Sequence, residues 1–361
     1  MNKVGLYIHV PFCLSKCPYC DFYSVKYDDD TAKGYLNAVK ANLANYDSIR
    51  FDTVYFGGGT PILLWKEICE ILSFLGDRIE PDAEITLEAN PCCTHGEALT
   101  ALKQSGVNRV SFGLQSADDN ELKALGRRHN ATQGEQAVEM CYNAGVENIS
   151  ADIMLGIPLQ TPESLKRTVE RFTSLPITHI SAYMLKIEEN TPFATRQLDL
   201  PDEDGYAQMY LDTVSLLPEK GFTQYEISNF AKSGCECRHN LKYWRCEEYI
   251  GIGPAAHSFY NGSRYAVNRD LSEFIKIVPQ RTYVTEGSPA DFDEWLMLRL
   301  RLSEGVDLDE VKQRFGIEKE KLFEKLKAVP TQLYRADNNN IRLTPEGFLV
   351  SNAVIGILTD I

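Results

Sequence analysis

Three cysteines, Cys13, Cys17 and Cys20, stand in a C-x3-C-x2-C spacing directly after the apolar run Tyr7-Ile8-His9-Val10. Thiolate sulfur is a soft ligand that suits iron–sulfur clusters and zinc. Three thiolates can hold three irons of a four-iron cubane and leave the fourth iron open to a small chelating molecule. The spacing therefore points to chemistry at a cluster rather than to electron storage alone. Zinc sites commonly pair two C-x2-C units, or one such unit with two histidines, and no second pair lies nearby. A structural metal knuckle is the competing reading. Pro11, Pro18, Lys16 and Asp21 mark the segment as a loop, which argues against three cysteines merely packed in a core. Cys69 and Cys141 lie on helix-period segments and read as core. Cys92 and Cys93 are neighbours, and neighbouring side chains in an extended segment point apart, which argues against joint ligation.

The loop must hang on a rigid frame, and the first half of the chain supplies one. Strand-like runs are predicted at Val4–His9, Thr53–Phe56, Glu84–Glu88, Arg109–Gly113, Ile149–Leu155 and His179–Leu185. Helix-period stretches lie between them, at Thr31–Ala44, Trp65–Leu75, Gly96–Gln104, Thr132–Asn143 and Pro162–Ser174. Strand, helix, strand, repeated, predicts a parallel sheet, either doubly wound or curved into a full or partial β/α barrel. Cys13, Gly57–Thr60, Glu88, Gln115 and Asp152 each fall at or just past a strand's C-terminal end. A barrel gathers all such ends on one rim, whereas a doubly wound sheet binds at one switch point. Residues spread over five strand ends fit the barrel better. Taken alone, the Gly57–Thr60 run is a tight turn or a close approach to a ligand. Glu88 is equally a solvated strand end, and Arg127 an ordinary surface cation.

The segments Y-I-H-V-P-F-C and C-P-Y-C-D-F, with G-G-G-T-P at 57–61, resemble the radical S-adenosylmethionine superfamily, in the branch of oxygen-independent coproporphyrinogen oxidase and its relatives. The resemblance covers nearly the whole chain. It implies an open six-strand partial (β/α)6 barrel and a [4Fe–4S] cluster on Cys13, Cys17 and Cys20. The open iron would chelate S-adenosylmethionine, which is cleaved to methionine and a 5′-deoxyadenosyl radical. It further implies S-adenosylmethionine contacts at Tyr7, Gly58, Gly59, Thr60 and Glu88. Positions matching Tyr19, Gln115, Arg127 and Asp152 line a second S-adenosylmethionine site in the oxidase.

After Leu185 the alternation stops, and a second cluster follows: Cys235, Cys237 and Arg238-His239-Asn240-Leu241-Lys242-Tyr243-Trp244. Histidine is a common axial ligand of haem and aromatic faces pack on a porphyrin, though His and Trp more often pack or cap. R-H-N-x-x-Y-W is similar to the hallmark of the HemW haem-chaperone branch. It implies haem as cargo, His239 as haem contact, and Asn240, Tyr243 and Trp244 shaping the pocket. Two more features favour that branch over the oxidase: the chain begins almost at the first strand, and Phe22 stands where the oxidase motif continues with a fourth cysteine. The expected function is a haem chaperone that passes haem to acceptor proteins and draws on an electron donor. The alternative is the oxidative decarboxylation of coproporphyrinogen III. Cys235, Cys237 and Cys246 as ligands of a second cluster is a weaker alternative. Tyr249–Phe259 reads as a loop near the barrel mouth.

The last segment changes character. Asp291–Arg301, Leu308–Phe315 and Lys319–Lys327 read as helices, Arg335–Leu343 as a hairpin, and Thr344–Leu358 as a closing helix. This predicts a smaller α+β, winged-helix-like domain that covers part of the barrel or the substrate opening. The expected division is 1–230 for the barrel, 231–285 for a connecting region and 286–361 for the C-terminal domain. At 361 residues the chain is long enough for that arrangement. A formal net charge of −14 and the acidic Ser303–Glu310 argue against nucleic-acid binding. No apolar run reaches a membrane span. Ten cysteines without a signal-peptide pattern predict a reducing, cytoplasmic location.

Overall fold

In the computed structural model, residues 3–276, 281–283 and 290–359 are described. Six parallel strands run in chain order: β1 Val4–Val10, β2 Phe51–Gly58, β3 Ile79–Ala89, β4 Arg109–Gln115, β5 Asn148–Leu155 and β6 His179–Met184. Their sequences alternate, and the alternation has two readers. Leu6, Ile8, Val54, Phe56, Leu87, Val110, Phe112, Ile149, Ile153 and Ile180 are buried in the main apolar core. The intervening positions carry Tyr7, Thr53, Tyr55, Glu84, Glu88, Ser111, Asp152, His179 and Tyr183 toward the barrel interior, where Tyr55 bonds Glu88, Ser111 bonds Asp152, Thr53 bonds His239 and Tyr183 bonds Gln115. Period-two patterning thus builds an apolar outer face and a polar inner one.

Helices follow the strands and are started by local chemistry. Asp28 caps Asp29–Leu43 by accepting from the Asp30 and Thr31 amides at 3.2 Å each. Asn130 with Gln133, and Thr161 with Ser164, form reciprocal capping boxes ahead of Ala131–Asn143 and Pro162–Thr173. In Asp29–Leu43, Ala32, Tyr35, Leu36, Val39 and Leu43 form the buried stripe.

The sheet does not stop at six strands. Tyr249–Ile252 pairs in parallel with β1, and His257–Tyr260, Ser263–Val267 and Arg281–Tyr283 extend that edge antiparallel. On the other edge, Asn229–Ala231 pairs antiparallel with β6 and then with Thr223–Gln224. The predicted loop Tyr249–Phe259 is therefore two strands joined by a tight turn. Gly251 permits it, since a Cβ there would meet the His257 carbonyl oxygen at 2.0 Å. The stretch 231–285, read from the sequence as a connection, thus contributes strands to the barrel sheet from its described residues; the expected boundary at 285/286 lies outside the described residues.

The smaller C-terminal domain is built from Phe292–Arg299, Leu308–Phe315 and Lys319–Leu326, a three-stranded sheet, and Pro345–Leu349 and Ser351–Thr359. Fully buried Trp295 centres its core, 5.4 Å from the Phe315 ring. The domain joins the barrel through Ile227 N to Arg301 O at 2.9 Å and Ser303 N to Tyr225 O at 3.0 Å. Tyr225 bonds His179 at the first residue of β6, so this junction lies at the end where the strands begin. The domain covers the barrel there, and none of its described residues lines the rim cavity described next.

Candidate functional site

A cavity of about 580 Å³ opens at the C-terminal ends of the strands. Cys13, Cys17 and Cys20 border it as half-buried free thiols. Their loop is laced to the barrel: Tyr27 N donates to Cys13 O at 3.0 Å, Cys20 N to Cys17 O at 3.1 Å, and Phe193 N to Pro18 O at 3.0 Å. The glycine turn closes on the same loop. Gly59 N donates to Val10 O and Thr60 N to Phe12 O, each at 2.8 Å. Gly58 has φ +118°, and a Cβ there would lie 2.7 Å from the His9 ring. At Gly59 a Cβ would lie 2.6 Å from the Phe12 carbonyl oxygen. A side chain at Gly58 would displace the His9 ring, and one at Gly59 would displace the cysteine loop at Phe12.

Gly58, Gly59, Thr60, Tyr19, Glu88, Gln115, Arg127 and Asp152 all line this cavity. The Glu88 carboxylate accepts from Tyr55 OH at 2.8 Å and Gly58 N at 3.1 Å. Burial raises its pKa, and those two bonds oppose the rise. Burial, with the Glu88 charge beside it, pushes Asp152 up to about 7 against the pull of Arg109. Arg127 reaches Cys17 Sγ at 3.6 Å and Tyr19 OH at 3.4 Å and donates to the Gly113 carbonyl, while its Nε is buried without a partner among the described residues. Gln115 ends β4 after a register shift, with φ +73°, and accepts from Tyr183 OH at 2.9 Å. A non-glycine residue in that conformation is strained, and strain of this kind collects at functional sites.

Tyr7 is the exception among the residues expected at the rim. It is absent from the lining: its ring is 6.1 Å from that of Tyr55, and its hydroxyl bonds His9 Nδ1 at 3.0 Å. Tyr55, Asn90, Ser111, Ser181 and Tyr183 also line the cavity and were missed from the sequence. The signal that finds them is the alternation along the strands, which puts every second residue inside.

The donor set fits a cluster. Among the described residues no three His, Cys, Asp or Glu side chains converge on a single ion position. Thiolates of a four-iron cluster each bind a different iron, so they need to border one space rather than meet at one point.

The second motif is elsewhere. Arg238–Trp244 is a short helix at the opposite end of the barrel from the cavity. Glu84 of β3 accepts from the Arg238 and His239 amides at 3.0 Å each. Lys242, 3% exposed, pairs with Asp52 at 3.0 Å. His239 is 1% exposed; Nδ1 bonds Thr53 Oγ1 and Nε2 bonds Tyr243 OH, each at 2.8 Å. Burial, with Lys242 and Arg109 near, pushes its pKa down to about 3, so the ring is neutral. As a haem contact, His239 is therefore not presented to the cavity, and neither ring nitrogen is free for an iron. Asn240, Tyr243 and Trp244 are only partly buried. The reason His239 is enclosed is packing: its imidazole stacks against the Tyr7 and Tyr55 rings.

A partial β/α barrel with three loop thiols sharing a cavity with a glycine turn, Glu88 and Asp152 defines a radical S-adenosylmethionine protein. A profile of the radical SAM superfamily matches residues 7–172, and one of the HemN C-terminal domain matches 292–350. The heme chaperone HemW of Lactococcus lactis subsp. lactis is 33% identical over 360 residues, spanning 96% of this chain and 95% of that protein. The heme chaperone HemW of Bacillus subtilis is 33% identical, spanning 97% of each. Coproporphyrinogen III oxidase (HemN) from Escherichia coli superposes with a TM-score of 0.84 at 20% identity, over 99% of this chain and 90% of that one, a likeness of fold. The chain belongs to the HemW heme-chaperone family of the radical SAM superfamily. That family implies a [4Fe–4S] cluster and S-adenosylmethionine. No helix among the described residues is long and apolar enough to cross a membrane.

Proposed function

We propose that the chain holds a [4Fe–4S] cluster on Cys13, Cys17 and Cys20, binds S-adenosylmethionine across the same cavity, and delivers haem to an acceptor protein. One observation supports this most: three free thiols share one cavity with the Gly58–Thr60 turn, Glu88, Gln115, Arg127 and Asp152. When bound, a cluster on three thiolates leaves one iron open to chelate a small ligand and supplies it with an electron. The chain's own residues bind and orient. Glu88, held by Tyr55 and Gly58, offers a carboxylate to an ammonium group. Arg127, with Nε unpartnered, offers a cation to a carboxylate. Tyr7 supports this wall from behind, through Tyr55 and His9. The reactive chemistry is the cofactor's.

The haem part rests on the relatives' names and on R-H-N-x-x-Y-W. Asn240, Tyr243 and Trp244 are the partly exposed contacts; His239 would join them only by leaving Thr53 and Tyr243. A haem-accepting protein and an electron donor complete the cycle, in a reducing cytoplasm.

The test is one anaerobic sample of cluster-loaded protein, in which bound haem, haem passed to an acceptor and 5′-deoxyadenosine are all quantified. Haem transfer is expected. Absence of haem binding overturns the chaperone reading, and conversion of coproporphyrinogen III to a vinyl-bearing product replaces it with the oxidase. Unchanged haem affinity in His239→Ala removes that residue from the contacts.

A further inference from the structure

Asn90 lines the cavity, and the chain leaves it through Pro91-Cys92-Cys93. Read as extended backbone, this stretch sends the two cysteines apart. It is instead one turn of 3-10 helix, Pro91–Cys93. Asn90 closes it: its Oδ1 accepts from Cys92 N at 3.4 Å, and its carbonyl oxygen accepts from Cys93 N at 2.9 Å. The turn swings both side chains to the same side and leaves the two sulfurs 3.4 Å apart. Cys92 is exposed, whereas Cys93 is half-buried against the apolar core. Neither thiol has a part in the site described above.

We propose that Cys92 and Cys93 form a vicinal dithiol that exchanges with small disulfides, a modification site at the edge of the cavity. The exposed Cys92 is the attacking thiol. A hydrogen bond with Cys93, and Arg128 and Arg127 nearby, hold it below the ordinary thiol range. In the first step the Cys92 thiolate attacks one sulfur of R–S–S–R. A Cys92–S–S–R bond forms and one RS⁻ leaves. In the second, Cys93 loses its proton to solvent and attacks the Cys92 sulfur. The Cys92–Cys93 bond forms and the second RS⁻ leaves. The dithiol is oxidised by two electrons and the small disulfide is reduced by two. Neighbouring Cα atoms are about 3.8 Å apart, closer than most disulfides prefer. The ring is thus of the strained, easily reduced kind that suits reversible exchange rather than structural bracing.

The proposal does not depend on the cavity's ligands, and its test is independent of them. Full-length, cluster-loaded protein is equilibrated anaerobically with reduced and oxidised glutathione at several ratios, trapped by alkylation and mapped by peptide mass. Expected is a peptide carrying both residues that lacks two hydrogens at oxidising ratios and regains them at reducing ones. Cys93→Ser should accumulate glutathione on Cys92, and Cys92→Ser should leave Cys93 reacting at least ~10-fold more slowly. Two alkylated thiols at every ratio, two separate glutathione adducts, or pairing with other cysteines would overturn the proposal. The wild-type map decides even if a variant is unstable.

Discussion

The Tyr55 ring lies over the His239 imidazole, with centroids 5.2 Å apart and planes 29° from parallel. The same tyrosine donates its hydroxyl to Glu88 at 2.8 Å. One side chain thus joins the R-H-N-x-x-Y-W helix at the base of the barrel to the acid wall of the cavity at its top. The motif therefore has a mechanical consequence at the S-adenosylmethionine site whatever it does for haem.

His239→Ala is expected to cost about 2–4 kcal/mol of stability, because it leaves a void under Tyr55 and unpairs the Thr53 and Tyr243 hydroxyls. It should also weaken S-adenosylmethionine binding with cluster content unchanged. His239→Phe, which keeps a ring under Tyr55, should retain more of that affinity. Calorimetric titration on cluster-loaded protein checks both; equal affinity in wild type and His239→Ala would show that the stack transmits nothing.

Each of Cys13→Ala, Cys17→Ala and Cys20→Ala should abolish the charge-transfer absorbance of the reconstituted protein. Iron and sulfide analysis of the triple variant is the stricter measurement. Full content there would place the cluster elsewhere.

Glu88→Gln keeps size and loses charge. If the carboxylate meets an ammonium group, affinity for S-adenosylmethionine should fall by about 10–100-fold, the loss of one charge-assisted hydrogen bond of roughly 1.5–3 kcal/mol. Tyr55→Phe, which removes only the hydroxyl behind it, should cost about 1 kcal/mol. Matching titration curves for wild type and Glu88→Gln would take Glu88 out of the ligand set.

Glu226 sits at the junction with the C-terminal domain, fully buried, accepting from Ser228 N at 3.1 Å and from the Asn229 side chain. Burial raises its pKa to about 7, opposed by those bonds and by Arg301. Between the usual carboxylate range and pH 7 the folded chain holds a proton that the unfolded chain has released. Stability should therefore fall as pH rises across that window. Urea unfolding at pH 5 and pH 8 should show this loss, of order 2 kcal/mol, reduced in Glu226→Gln. Parallel pH profiles for the two proteins would refute the assignment.

Much of the frame was legible in the chain itself. Helices such as Trp65–Leu75, Gly96–Gln104 and Leu308–Phe315 fall where their periodicity and flanking residues put them, because helix signals are local. So are loop thiols at fixed spacing and glycines that must accept a close neighbour. The six strands were found at the right places, five of them too short and the sixth one residue too long; β3, for one, runs Ile79–Ala89 rather than Glu84–Glu88. Strand ends are set by the partner's backbone, which no local pattern records.

Only the tertiary structure decided what faces what. The identity of His239 suggests a ligand, yet Thr53, Tyr55 and Tyr243, distant in the chain or one turn on, claim its ring and hold it neutral. Adjacent Cys92 and Cys93 would diverge in an extended strand, and a single turn closed by Asn90 brings them together instead. Residue type settles which chemistry is available, and burial and hydrogen-bond partners, which are properties of the assembled barrel, settle which groups are left free to perform it.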